Sequence, residues 1–307
     1  MKFNFYPLLV FFILLISNIS IGQLSEFQNK LSSKKINASI VDSYGLMWIA
    51  TEEGLNMFDG KKVHVFTSVL SDKESLINSI VSRIIELETN DLLFVSKNGL
   101  SVFERDNFSF KRVNIPIPIS VLYDKLDEIL FVSTSNDGIY VLNNKYEVIN
   151  HFRTDPLNPF SLSTNSFDIY GAQKTIKILN KNGDLIIATG DGINIFSKSK
   201  NSFERFLFKS EDIDERVNII SKVDENIFLL GFNSGFKIFD YYRKTFKEFN
   251  TLNQKHVNDI LSFKNITDQG DDEFIVNNEE NKNLVVARSF ILTDDGLYSI
   301  SFNDQYE

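Results

Sequence analysis

The residues most able to do chemistry in this chain are its three histidines, its paired acids and a few of its aromatics. His64, His151 and His256 lie far apart, without the short paired spacing that brings two imidazoles onto one zinc ion. Cysteine is absent, so there is neither a thiolate nucleophile nor a disulfide framework. No G-x-S-x-G nucleophile turn or glycine-rich phosphate loop occurs. Glu211-Asp212 and Asp214-Glu215 read as a solvated charge run and not as a general acid/base pair. Asp191-Gly192 and Asp294-Asp295-Gly296 carry oxygen ligands that calcium accepts, but they lack the alternating ligand run of a calcium loop and read as turns; Asp268–Glu273 is the better calcium candidate. Trp48 has a ring that could stack on a sugar, yet it sits inside a repeated apolar run, which makes it a core residue. Tyr123, Tyr241 and Tyr242 remain as candidate ligand contacts. No catalytic set, resident metal or cofactor is expected.

The elements that would position these residues are short strands. Asp42–Phe66 reads as strand, tight turn, strand, turn, strand, with Gly54 and Gly60 at the corners. The pattern recurs six times, at Trp48–Phe58, Leu93–Phe103, Phe131–Leu142, Ile186–Phe196, Leu229–Phe239 and Phe290–Ile300. The hairpin glycines are Gly54, Gly99, Gly138, Gly192, Gly235 and Gly296, with spacings of 45, 39, 54, 43 and 61 residues. Four positions after each glycine stands Phe58, Phe103, Leu142, Phe196, Phe239 or Ile300. In four copies another apolar residue follows seven further on (Phe110, Ile149, Phe203, Phe246), and a third follows three after that (Val113, Phe152, Phe206, Phe249). In the first copy the turn is two residues shorter, and Val63 and Phe66 take those places.

A unit of roughly 40–50 residues built from short strands specifies an all-β fold, a β-propeller of four-stranded antiparallel blades. Leu92–Val95, Leu185–Ala188 and Ile227–Leu230 are unbroken apolar runs, as expected of strands covered on both faces by neighbouring blades. The fourth strands alternate Phe with polar residues, as in Phe108-Ser109-Phe110-Lys111. The linkers also rhyme: Ser71–Ile80 and Thr154–Phe167 share a turn-rich approach, then Ser-Leu, then Asn-Ser. The longer spacings place insertions near 155–165 and 264–283, with Phe274–Val276 as a candidate strand in the second. The sixth unit lacks room for its outermost strand, and Gln23–Phe27 is expected to close the propeller by supplying it.

Composition narrows the partners. The formal charge is −9, from 41 acidic and 32 basic residues with no basic stripe, which argues against nucleic acid. At the N-terminus, Lys2 precedes the apolar run Pro7–Ile16, and Ser20-Ile21-Gly22 supplies small residues for cleavage before Gln23. The run is short of the ~20 residues of a spanning helix. Residues 1–22 are therefore expected to be a signal peptide and residues 23–307 an exported propeller, periplasmic or secreted, with no membrane contact after cleavage.

The first unit, D-x-x-G-x-x-W-I-A-T-x-x-G-L-x-x-F-D-G at Asp42–Gly60, resembles the two-component regulator propeller repeat, and Asp155–Ser166 is similar to that family's blade junctions. Asp42 and Gly45 also approach the S-x-D-x-G-x-T-W turn of sialidase-type propellers, but the spacing is one residue too long. The turn reads instead as an Asp bound to its own backbone. Ala50 stands where the family usually has Gly, and the later copies lack the Trp. The resemblance implies the periplasmic sensor region of a hybrid two-component regulator, generally seven-bladed where six units are recognisable here. It also implies an oligosaccharide ligand and, as partner, a membrane-bound sensor kinase or homologous propeller that supplies the missing output. The competing classes are a propeller hydrolase or lyase acting on polysaccharide, and a protein–protein scaffold or truncated paralogue.

Overall fold

The computed structural model describes residues 29–167, 176–178, 184–189, 192–208, 217–224, 226–232, 235–248, 257–264, 287–293 and 296–302. Among these residues every regular element is a strand, and none forms a helix long and apolar enough to cross a membrane. Residues 1–22, Gln23–Phe27 and Phe274–Val276 lie outside the described residues.

The chain divides into two compact units, one ending at Pro116 and the other beginning at Ile117. In the first unit, β1 (Ile36–Val41), β2 (Met47–Thr51), β3 (Leu55–Phe58) and β4 (Val63–Phe66) form one sheet, and β5 (Val81–Glu86), β6 (Leu92–Ser96), β7 (Gly99–Glu104) and β8 (Ser109–Asn114) form another. The second unit opens with the sheet of β9 (Pro118–Asp124), β10 (Ile129–Thr134), β11 (Ile139–Leu142) and β12 (Val148–Phe152). Next come β13 (Ile176–Ile178), β14 (Leu185–Thr189), β15 (Gly192–Ser197) and β16 (Ser202–Leu207). They are followed by β17 (Val217–Lys222), β18 (Ile227–Phe232), β19 (Gly235–Asp240) and β20 (Thr245–Glu248), and the last described sheet holds β21 (Val257–Lys264), β22 (Ala287–Thr293) and β23 (Gly296–Phe302). Each sheet is an antiparallel meander with its strands in chain order, which is a propeller-like all-β fold.

The repeated spacing now has a geometric cause. Phe103 pairs with Phe110, Phe196 with Phe203 and Phe239 with Phe246 across the third and fourth strands. Their ring centroids are 5.4, 5.0 and 4.7 Å apart, the contact range of stabilising aromatic pairs. The last position of the register packs its carbonyl against the hairpin glycine. A Cβ on Gly99 would lie 2.1 Å from the Val113 oxygen, and one on Gly192 2.0 Å from that of Phe206. Glycine is therefore required there for close backbone approach as well as for the turn.

Two expectations shift. Phe108 stands before β8, in the turn, with φ +54 and half its surface exposed. In the third sheet a bulge between Val141 and Leu142 skips Ile149, so Val148 faces Leu142 and Ile149 is 56% exposed instead of buried.

Burial follows the apolar runs: β6, β14 and β18 are buried at every position. Trp48 is fully buried against Phe94 at 5.2 Å and Phe103 at 4.8 Å, joining the first two sheets as a core residue. The matching linkers are clamped alike. The Arg112 side chain donates to Ser75 O, Ser75 Oγ and Leu76 O at 2.8, 2.6 and 2.9 Å, while Arg205 donates to Ser161 O, Ser161 Oγ and Leu162 O at 2.7, 2.7 and 3.0 Å. Leu76 and Leu162 are thereby held fully buried.

At the opposite ends of the strands, charges fasten neighbouring sheets. Asp42, buried just past β1, accepts from Tyr44 N and Leu46 N (3.0 and 2.9 Å), from Trp48 Nε1 (2.9 Å) and from Arg105 (3.0 Å) in the β7–β8 turn. Asp124 takes Lys198 in the same manner, and Asp184 accepts from the Tyr241 hydroxyl at 3.2 Å. Burial pushes the Asp42 carboxyl up, but these donors outweigh it and hold it below its ordinary value. Asp42→Ala removes every acceptor at once and leaves a buried indole N–H unpaired. It is expected to cost about 3 kcal/mol in urea unfolding at neutral pH. Because the folded-state pKa is depressed, the ionised-state contribution of Asp42 is present above pH 3.8 and fades below it, so the gap between parent and variant should narrow on acidification.

Candidate ligand site

In three of the sheets, the side chain two residues after the hairpin glycine holds the incoming linker. Asn56 Oδ1 accepts from Ser32 N at 2.8 Å, Ser101 Oγ from Ile77 N at 2.9 Å, and Asn194 Oδ1 from Ser163 N at 2.9 Å. The third sheet departs from this. The connection from β8 to β9 is short, so no linker needs holding, and the position carries Tyr140. In the fifth it is Lys237, whose ammonium lies 5.0 and 5.2 Å from the Phe208 and Phe232 ring centres.

Tyr140 sits opposite His151 on β12, and their rings stack with centroids 3.9 Å apart at 19°. The Tyr140 hydroxyl donates to Asp137 Oδ2 at 2.5 Å in the hairpin, and Arg153 places its guanidinium 3.3 Å from Asp137 Oδ1. His151 Nε2 meets the Asp137 carbonyl, which only accepts, so Nε2 carries a hydrogen. The cluster is half-open: Asp137 and His151 are each 28% exposed and Arg153 is 56% exposed. The cluster thus sets a flat ring pair beside a carboxylate that accepts hydrogen bonds and a guanidinium that donates them.

Burial first, then the hydrogen bond and charge of Asp137, raises the Tyr140 phenol to about 12, with Arg153 opposing. At neutral pH Tyr140 is therefore a fixed neutral donor, poorly suited to act as a base. No group of three His, Asp or Glu side chains among the described residues is placed to hold a metal ion.

The sequence candidates are dispersed. Tyr123 is half-buried on β9. Tyr241 is tied into the Asp184 pairing with Lys244 3.6 Å over its ring, and its phenol is raised to about 12 by burial and then by Asp184. Tyr242 is 83% exposed in the β19–β20 turn. His64 pairs with Asp59 at 3.1 Å. His256, Asp191, Asp294, Asp295, Asp268–Glu273 and the Glu211–Glu215 acids fall outside the described residues. Sequence reasoning missed Tyr140, Asp137 and Arg153. The available signal was that this repeat position, a small polar residue at Asn56, Ser101 and Asn194, carries Tyr140 here, although Lys237 and Tyr298 depart from it as well.

No protein-family model matches the chain, and no curated protein matches it. Among solved structures, it is similar to the extracellular domain of the putative hybrid two-component system BT3049 from B. thetaiotaomicron, at 17% identity and a TM-score of 0.59 over 90% of this chain. The chain spans 35% of that protein's length. It is also similar to Kluyvelomyces marxianus Hsv2, at 12% identity and a TM-score of 0.50, covering 88% of this chain and 78% of that one. At these identities the likeness establishes the fold. The first of these structures belongs to the class that Asp42–Gly60 resembles.

A raised phenol stabilises the fold fully below pH 10.0 and loses that contribution as pH climbs through about 12. In an absorbance titration, Asp137→Asn should move one tyrosine down towards 10.0, and Tyr140→Phe should remove that same tyrosine.

Proposed function

We propose that this chain is an exported, non-catalytic ligand-binding propeller of the sensor type, taking an oligosaccharide at Tyr140, His151, Asp137 and Arg153. The stacked Tyr140–His151 pair carries the reading, because it stands where the first, second and fourth copies use the same position to hold their incoming linker. The shared fold with a two-component extracellular domain supports a sensor role, with a membrane-bound sensor kinase or a homologous propeller as partner. The neutral, hydrogen-bonded state of Tyr140 weighs against the hydrolase or lyase alternative.

A glycan array followed by calorimetry on the purified protein tests this. Binding of an oligosaccharide without turnover is expected, and Tyr140→Ala should weaken it about tenfold, roughly 1.4 kcal/mol, in a variant that remains folded by circular dichroism. Turnover of any glycan would favour the hydrolase, and neither binding nor turnover would favour the scaffold.

The proposal extends to closure, with Gln23–Phe27 completing the sheet of β21–β23. Deleting residues 23–30 should then lower the melting midpoint sharply, and an unchanged midpoint rules that closure out.

A further inference from the structure

Strand β12 is the outermost strand of its sheet, and its sequence V-I-N-H-F contains no Lys, Arg, Asp or Glu. Sheet edges are ordinarily blunted by charge. Here β8 carries Lys111 and Arg112, β16 carries Glu204 and Arg205, and β20 carries Lys247 and Glu248. Strand β4 also lacks charge, but it is only four residues long and is preceded by Lys61 and Lys62. On β12, Val148 and Ile149 are 47% and 56% exposed, and the bulge leaves Ile149 without an opposite residue on β11. In the single chain the His151 N–H is held by the side chain of its own neighbour, Asn150, at 2.8 Å, and pairing of this edge exchanges that bond for a ladder bond.

We propose that β12 is a self-association edge that pairs antiparallel with β12 of a second copy, about a two-fold axis at Asn150. In that register Ile149 lies opposite His151 and Val148 opposite Phe152. Glu147 lies opposite Arg153, twice by symmetry, so the flanking charges are complementary. An isologous contact needs this self-complementarity, and an uncharged edge bounded by one acid and one base supplies it. The partner is thus a second copy of this chain. The pairing does not rest on the ligand reading, although β12 also bears His151.

The absence of cysteine makes the test direct. Residues facing each other across an antiparallel pair have Cα atoms about 4.5–5.5 Å apart, within reach of a disulfide. Asn150→Cys should give a disulfide-linked dimer under mild oxidant, whereas His64→Cys, on β4, should remain monomeric. By sedimentation velocity the parent should dimerise in a concentration-dependent manner. Ile149→Lys should raise the dimer Kd about tenfold or more, as should Glu147→Arg, and Glu147→Arg with Arg153→Glu should recover most of the loss. A parent that stays monomeric at high micromolar concentration, an Asn150→Cys chain that fails to cross-link while folded by circular dichroism, or an Ile149→Lys dimer as tight as the parent would each overturn the proposal.

Discussion

The second strand of three of the described sheets is buried on both faces, and from that constraint the rest of the architecture follows. Strands β6, β14 and β18 expose no residue to water, so a single sheet folded alone would leave one of its faces uncovered. Burial of such a strand therefore requires a neighbouring sheet. Trp48 shows how the demand is met in the first unit, where it fills space against Phe94 and Phe103 of the next sheet. In the second unit, Phe131, Leu162, Phe196 and Phe203 belong to one core.

Apolar packing has no direction, and polar contacts give it a register. At one end of the strands, Asp42, Asp124 and Asp184 receive Arg105, Lys198 and Tyr241 from the turn of the following sheet. At the other end, Arg112 and Arg205 hold the linkers. Each contact engages a group that burial would otherwise leave unsatisfied. Tyr140 lies at the linker end, where a short connection frees a position from structural duty, and a site open to a ligand can form there without loosening the sheets.

Most of the architecture was legible because it is periodic. The 4–7–3 spacing marks cross-strand phenylalanine pairs and a glycine pressed against a carbonyl, and both recur with the chain. The matching Ser-Leu linkers were visible for the same reason. Arg112 and Arg205, which explain them, were overlooked because they sit among polar residues of an exposed-looking strand. The Asp42–Arg105 bond spans 63 residues and has no trace in local pattern. The bulge at Ile149 is likewise invisible, since it changes pairing without changing hydrophobicity. The Tyr140 cluster was not legible because its signal is a departure from the repeat, and repeats draw attention to what agrees.

The arginine clamps also bear on how such a chain could have been assembled. Ser75 and Leu76 precede the first strand of their sheet, yet they are fastened to its last strand, β8, and Ser161 and Leu162 stand in the same relation to β16. A duplication cut at a strand boundary would separate the clamp from what it grips. The portable segment runs from linker to fourth strand, so copying or exchange among repeat genes should preserve that frame and place its breakpoints just ahead of the Ser-Leu pair.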